Sequence, residues 1–329
     1  MRLPACLASA RTGSPVGLGY AHLATLFFGL AGVLGKLTGL PAPLITLGRV
    51  VFAGVALALW VISQRVSLRP TRRADLALLL GQGMLLAVHW TAFFQAIVVS
   101  NVAIGLLAFS SFPLFTAALE PLILRQSPSR LQLAAALLVL PGIALLAPGF
   151  NLASNATQGV LWGLLAGATF ALLSTLNRRL TRAYASLTIS LYQDATAALV
   201  LLPTLFFLPA SSRERLFDPR TLALLLVLGV CCTALAHTLF IASMRTITAQ
   251  LASVIATLEP VWGVLFAWLL LGEVPTLRIL LGGALILCAT LLPGLPALLS
   301  GVSSGVSSGV SSGANRASDT ATKRHASGR

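Results

Sequence analysis

The chain has 329 residues, of which 57% are hydrophobic and only 9% charged, and its mean hydropathy is +0.92. A soluble domain of this length cannot bury so much apolar surface, so the composition excludes a water-soluble globule and fits hydrocarbon as solvent. The net charge of +14 does not point to nucleic acid, because the cations fall between apolar runs and form no basic face with interleaved aromatics.

A helix needs about 20 mainly apolar residues to cross roughly 30 Å of hydrocarbon at 1.5 Å per residue. Runs of that kind predict spans at 18–38, 43–63, 75–97, 101–124, 131–148, 158–178, 186–208, 221–244, 249–271 and 277–296. The loops between them are short, so neighbouring spans are antiparallel. Leu222–Gly229 is apolar all round, whereas a barrel strand alternates. Helices also satisfy their own backbone groups, as hydrocarbon demands. The first run is too long for a cleavable signal peptide and lacks a small-residue cleavage site.

The cations decide the orientation. With the N-terminus inside, only Lys36, Arg213, Arg215, Arg220 and Arg278 fall in outer segments, and every other Lys or Arg except Arg49 falls in inner ones. This is the positive-inside bias, and it predicts that both termini are cytoplasmic. The four cysteines have neither metal spacing nor a disulfide framework, so no metal or cofactor is expected.

Shifted by 147 residues, the chain partly matches itself. Thr91 meets Thr238, Phe93 meets Phe240, Pro113 meets Pro260 and Leu124 meets Leu271. Each copy then holds five helices, and an odd number turns the second copy upside down. The expected fold class is an all-α integral membrane protein: ten transmembrane helices as two inverted five-helix repeats. Residues 1–17 form a cytoplasmic N-terminal segment, 18–148 the first repeat and 149–296 the second. Residues 297–329, rich in Ser and Gly and then basic, read as a disordered cytoplasmic tail.

Ionisable groups inside spans cost roughly 2.5–3.5 kcal/mol on insertion scales and each requires a reason. Arg49 lies in the second span, Asp194 in the seventh and Glu259 in the ninth. One reading sets all three around a wet cavity, with Arg49 holding a substrate carboxylate and Glu259 or Asp194 carrying a proton. The other reading is a fixed ion pair that joins the two halves. His89 and His237 are candidates for substrate contact and proton relay respectively, or each donates one hydrogen bond across helices. Trp90, Tyr192 and Trp262 are further candidates for the substrate site, with Phe94 and Phe109 beside them, against a plain packing role. Pro113 and Pro260 are candidates for helix breaks that free carbonyls toward the site. The Gly163/Gly167 pair predicts close helix approach within the bundle, and a homodimer stays an open alternative.

The segment Ala256-Thr-Leu-Glu-Pro-Val-Trp-Gly-Val-Leu-Phe-Ala-Trp-Leu-Leu-Leu-Gly-Glu273, the Gly282-Gly283 helix after it, and Ser110–Pro121 resemble the paired EamA domains of the drug/metabolite transporter superfamily. The resemblance covers residues 18–296. It implies ten helices and export of small metabolites, amino acids or toxic analogues among them, across the inner membrane of a bacterium. Two departures stand out. The family's Gly-Glu after the fourth helix is here Arg125-Gln126, and the proton-carrying carboxylate of the related small multidrug antiporters is absent from the first helix.

The function that follows is secondary transport by alternating access, with a small-molecule substrate, a lipid bilayer as surroundings and no nucleic acid. No Walker motif is present, so ATP does not drive it directly, and proton coupling is a candidate. An organellar antiporter of sugar nucleotides or phosphate esters is the alternative, although only Arg49 lies deep enough to meet phosphate. An intramembrane enzyme would need a nucleophile with its base or a metal cluster. The chain has no His-Glu-x-x-His and no Gly-x-Ser-x-Gly, and its histidines are scattered.

Overall fold

The apolar runs become helices whose ends are set by local polar residues. In the computed structural model, which describes residues 15–112, 114–116, 118–119, 130–146, 151–207, 209–247, 252 and 255–292, the chain forms α1 (Pro15–Leu37), α2 (Ala42–Gln64), α3 (Arg73–Val99) and α4 (Val102–Phe109). After these come α5 (Arg130–Leu146), α6 (Asn155–Leu180) and α7 (Ser186–Leu201). The last three are α8 (Pro219–Ser243), α9 (Glu259–Leu271) and α10 (Leu277–Leu291). Short turns of helix at Thr204–Phe207 and Ala210–Leu216 link α7 to α8. No strand occurs among the described residues.

Side-chain oxygens start several helices by taking an orphan N–H of the first turn. Asn101 Oδ1 accepts from Ile104 N at 2.8 Å for α4, Ser154 Oγ accepts from Thr157 N at 3.2 Å for α6, and Asp218 Oδ2 accepts from Thr221 N at 3.1 Å for α8. Gly272 ends α9 with φ of 68°, a left-handed turn that costs a glycine nothing.

Six helical stretches are long and apolar enough to cross a bilayer: α1, α2, α3, α6, Ser186–Phe207 and α8. The remaining expected spans appear as shorter apolar helices. The 15 residues of α10 reach only about 22 Å, short of the hydrocarbon thickness. The span expected at 101–124 is interrupted. After α4 there is a turn at Ser110–Ser111, and helical residues resume at Phe112. The span expected at 249–271 is interrupted too, by a turn at Thr257–Leu258 ahead of α9. Glu259, expected in the middle of a helix, therefore opens one instead, with Pro260 in its first turn. These two turns lie 147 residues apart, the same offset that aligns Pro113 with Pro260. Pro113 itself lies outside the described residues, as do Arg125 and Gln126.

Helix packing repeats the same symmetry. Helix α1 packs on α8 and α9, and α6 packs on α3 and α4. Helix α3 packs on α7 as α8 packs on α2, while α2 meets α7 and α5 meets α10. Exchanging each helix for the one five places along maps the α2–α7 and α5–α10 contacts onto themselves and the others onto one another in pairs. Cross-helix hydrogen bonds follow suit: Thr91 of α3 reaches Thr46 of α2 at 3.5 Å, and Thr238 of α8 reaches Ser190 of α7 at 3.2 Å. The glycine pair of α6 lies against α4, with Gly163 beside Gly105 and Ala108, and Gly167 beside the Phe109 carbonyl, which is the close approach expected.

Candidate functional site

Arg49 is the most deeply buried cation among the described residues, at 2% exposure. Its place depends on an irregularity in α8. Between Gly229 and Ala236 that helix widens into a π segment, Val230–Leu235. A π turn leaves carbonyls out of the usual i to i+4 ladder. There Arg49 Nη2 donates to the Cys232 carbonyl at 3.3 Å, and Arg49 Nε donates to Thr233 Oγ1 at 2.8 Å. Thr233 in turn donates to the Leu228 carbonyl five residues back, at 2.8 Å. The guanidinium plane rests over Trp90, 3.9 Å from the ring centroid, with Phe94 at 5.2 Å. Stacking, two anchoring bonds and a neighbouring helix thus fix the fork, while Nη1 has no protein partner in these contacts.

No salt bridge joins Arg49 to a carboxylate among the described residues, so the fixed ion pair is not the arrangement found. Glu259 and Asp194 both lie within electrostatic range of its guanidinium. Glu259 is buried and lines the same cavity as Arg49, at the N-terminal end of α9 where the helix dipole favours an anion. Asp194 is fully buried on α7, away from the cavity wall, and neither of its oxygens has a hydrogen-bond partner.

The cavity has a volume of about 40 Å³, room for two or three waters. His89 and Trp90 of α3 form one wall, and His237 and Glu259 face it from the other half of the chain. His89 Nδ1 lies 2.9 Å from the Ala166 carbonyl on α6 and donates to it, which leaves Nε2 as the acceptor of the neutral ring. Trp90 meets the His237 ring edge-on at 5.6 Å. Much of the remaining wall is phenylalanine, alongside Leu86, Leu173, Ser174 and Asn177. Phe170 touches Phe109 at 5.3 Å, Phe112 at 5.0 Å and Phe240 at 6.0 Å, and Phe240 touches Phe28 at 5.8 Å.

A buried amide chain runs from this cavity between the helices. Gln193 Nε2 donates to Gln82 Oε1 at 2.5 Å and to Asn177 Oδ1 at 2.7 Å, and His237 Nε2 sits 3.1 Å from Gln193 Oε1. Four helices, α3, α6, α7 and α8, meet in this cluster. Replacing Gln193 with Leu strands three buried polar groups at once, so it is expected to destabilise the protein by about 2 kcal/mol. Gln82→Leu removes only one link, and thermal unfolding in detergent should rank it well below Gln193→Leu.

Two expected site residues stand elsewhere. Tyr192 points its hydroxyl to the Leu68 carbonyl at 2.9 Å, on an exposed face, and ties α7 to the loop before α3. Trp262 stacks on Phe266 and packs its Cβ close to Gly29 of α1. Neither lines the cavity. Phe28, Phe170 and Phe240 line it instead. The sequence carried a signal for one of them, Phe240, whose repeat partner Phe93 also lines the cavity.

The profile of the EamA-like transporter family matches residues 15–147 and 157–294. The chain belongs to the EamA-like transporter family. This EamA-like transporter is 28% identical over 210 residues to a Bacillus subtilis (strain 168) protein named "Uncharacterized transporter YwfM", which covers 63% of this chain and 69% of the relative. It is also 28% identical over 136 residues to an uncharacterized transporter of Archaeoglobus fulgidus, covering 41% of this chain and 47% of that one. A solved crystal structure superposes on 86% of this EamA-like transporter and 97% of its own chain, with a TM-score of 0.63 at 22% identity, which shows a shared fold.

Proposed function

We propose that the protein is a secondary transporter that exports a small amphipathic metabolite, of amino-acid type, across the inner membrane by alternating access. The observation that carries this reading is the buried cavity between the two halves, where one stacked arginine faces a glutamate within an aromatic wall. Arg49 offers its unpartnered Nη1 edge to a carboxylate, Glu259 offers an anion to an ammonium group, and the phenylalanines take an apolar side chain. His89 and Trp90 contact the same molecule. Asp194 and His237 stand as candidates for proton coupling behind it. A phosphate ester would bring two negative charges to a cavity lined by a single arginine, so the zwitterion is the better fit.

The ten spans form two inverted repeats in this proposal, supported by the exchange symmetry of the helix contacts and by the paired turns 147 residues apart. Both termini are cytoplasmic, by the distribution of Lys and Arg. The cavity has room for only a few waters, so a metabolite enters when the halves rock apart and the rings turn aside. Purified protein in liposomes loaded with amino acids and their antimetabolites should show saturable, protein-dependent counterflow of at least one of them. Leakage no faster than from empty liposomes across the whole panel would reject the reading.

A further inference from the structure

At one end of the bundle, the two halves are joined by an ion pair. Lys36 Nζ, in the last turn of α1, meets Glu273 Oε1 at 2.5 Å. Glu273 follows the left-handed Gly272, whose turn folds the chain back at the end of α9. Its second oxygen accepts from Val102 N at 3.0 Å, the first helical N–H of α4. One carboxylate therefore ties together α1, α4 and α9, from both halves, and sits where the α4 dipole favours negative charge. Both side chains are about three-quarters shielded, so water weakens the pair only in part.

Beneath this tie the helices close tightly. A side chain at Gly32 would run into Ile97, and one at Gly35 into Phe94, so α1 lies closely against α3, with Val102 and Leu106 of α4 in van der Waals reach of Gly32. The cavity begins at Ala31, one residue further in. The tie and the packed layer thus stand between the cavity and the side that the charge bias assigns to the exterior.

We infer that Lys36, Glu273 and the Val102 N–H form the outer latch of the transport cycle, which holds the exterior side shut in this conformation and breaks when the site turns outward. This rests on the alternating-access reading above. The latch is one-sided. The 147-residue offset places Gln126 where Glu273 stands, and the inner-side carboxylate that does cross between the halves, Asp75, accepts from the Tyr184 hydroxyl at 2.7 Å, a neutral donor in place of a cation. Neutralising the latch should therefore favour the outward-facing state, because only that state gives up the ion pair.

The test uses full-length protein with its four cysteines replaced by alanine and a reporter cysteine at Ala31, in right-side-out vesicles. A membrane-impermeant maleimide is added outside, and the labelling rate is read. Lys36→Met and Glu273→Gln should each speed labelling about fivefold or more over the parent. Glu273→Gln loses the charge but keeps an oxygen for Val102 N, so it should act less strongly than Glu273→Ala. The swap of Lys36→Glu with Glu273→Lys restores the ion pair without the bond to Val102, and should recover part of the protection. Equal labelling rates in the parent, both neutral variants and the swap overturn the latch. The swap keeps the net charge and reports even where a neutral variant inserts poorly. Labelling needs no substrate, so its failure leaves the transport reading standing, while absent counterflow with latch-dependent labelling does the reverse.

Discussion

Arg49→Ala is expected to lower kcat/KM for the transported metabolite by at least about 100-fold, or about 3 kcal/mol, while the protein still inserts in the membrane. The substitution removes the charge that faces the cavity and the flat surface stacked on Trp90. It also leaves the Cys232 carbonyl and the Thr233 hydroxyl of the π segment without their Arg49 bonds. Arg49→Lys separates charge from shape. A lysine keeps the positive charge but has no Nε, no bidentate fork and no planar face. It should recover little of the rate, and mainly through KM. Counterflow by Arg49→Ala at the parental rate, in liposomes with equal protein content, would remove Arg49 from the site. Its thermal unfolding should drop by a smaller amount, roughly the 1–3 kcal/mol of an orphaned buried carbonyl.

Gly29→Leu should cost even more, at about 3 kcal/mol or above, and should leave little folded protein in detergent extracts. At this position α1 touches the backbone of α9 and the Cβ of Trp262 directly. A Cβ at residue 29 would lie 2.8 Å from the Glu259 carbonyl oxygen and 2.9 Å from the Gly263 nitrogen, both backbone atoms that cannot swing aside. The two helices would have to separate, and Glu259 would move with them. Gly54→Leu is the matched control, because a Cβ there meets nothing within 4 Å. In the same helix-forming surroundings it should be neutral or slightly stabilising. Equal recovery of the two variants by fluorescence size-exclusion would show that the α1–α9 crossing is not tight.

The two substitutions act on different kinds of information. That Gly29 matters is invisible in the sequence, where Gly29 and Gly54 are both glycines in apolar helices. That Arg49 matters is visible, because a cation in hydrocarbon demands an explanation wherever the helix happens to point. Its partners were not visible. A buried arginine by itself suggests a substrate or a carboxylate, whereas Arg49 meets a π-segment carbonyl, a threonine and a tryptophan face. The π segment of α8 lies against α2, and no residue type in it announces the irregularity.

Helix, membrane and repeat were settled by the chain alone, because each depends on properties that are local along it. Twenty apolar residues satisfy their own backbone and suit hydrocarbon regardless of neighbours, cations between spans set the expected side of the membrane, and a 147-residue offset survives any fold. Only tertiary structure decided which residues share a cavity. A helix that is apolar all round has no polar face to say which side meets lipid and which meets another helix. Tyr192 and Trp262 therefore read the same as Phe170 and Phe240 until the helices were packed, and then only the phenylalanines faced Arg49's cavity.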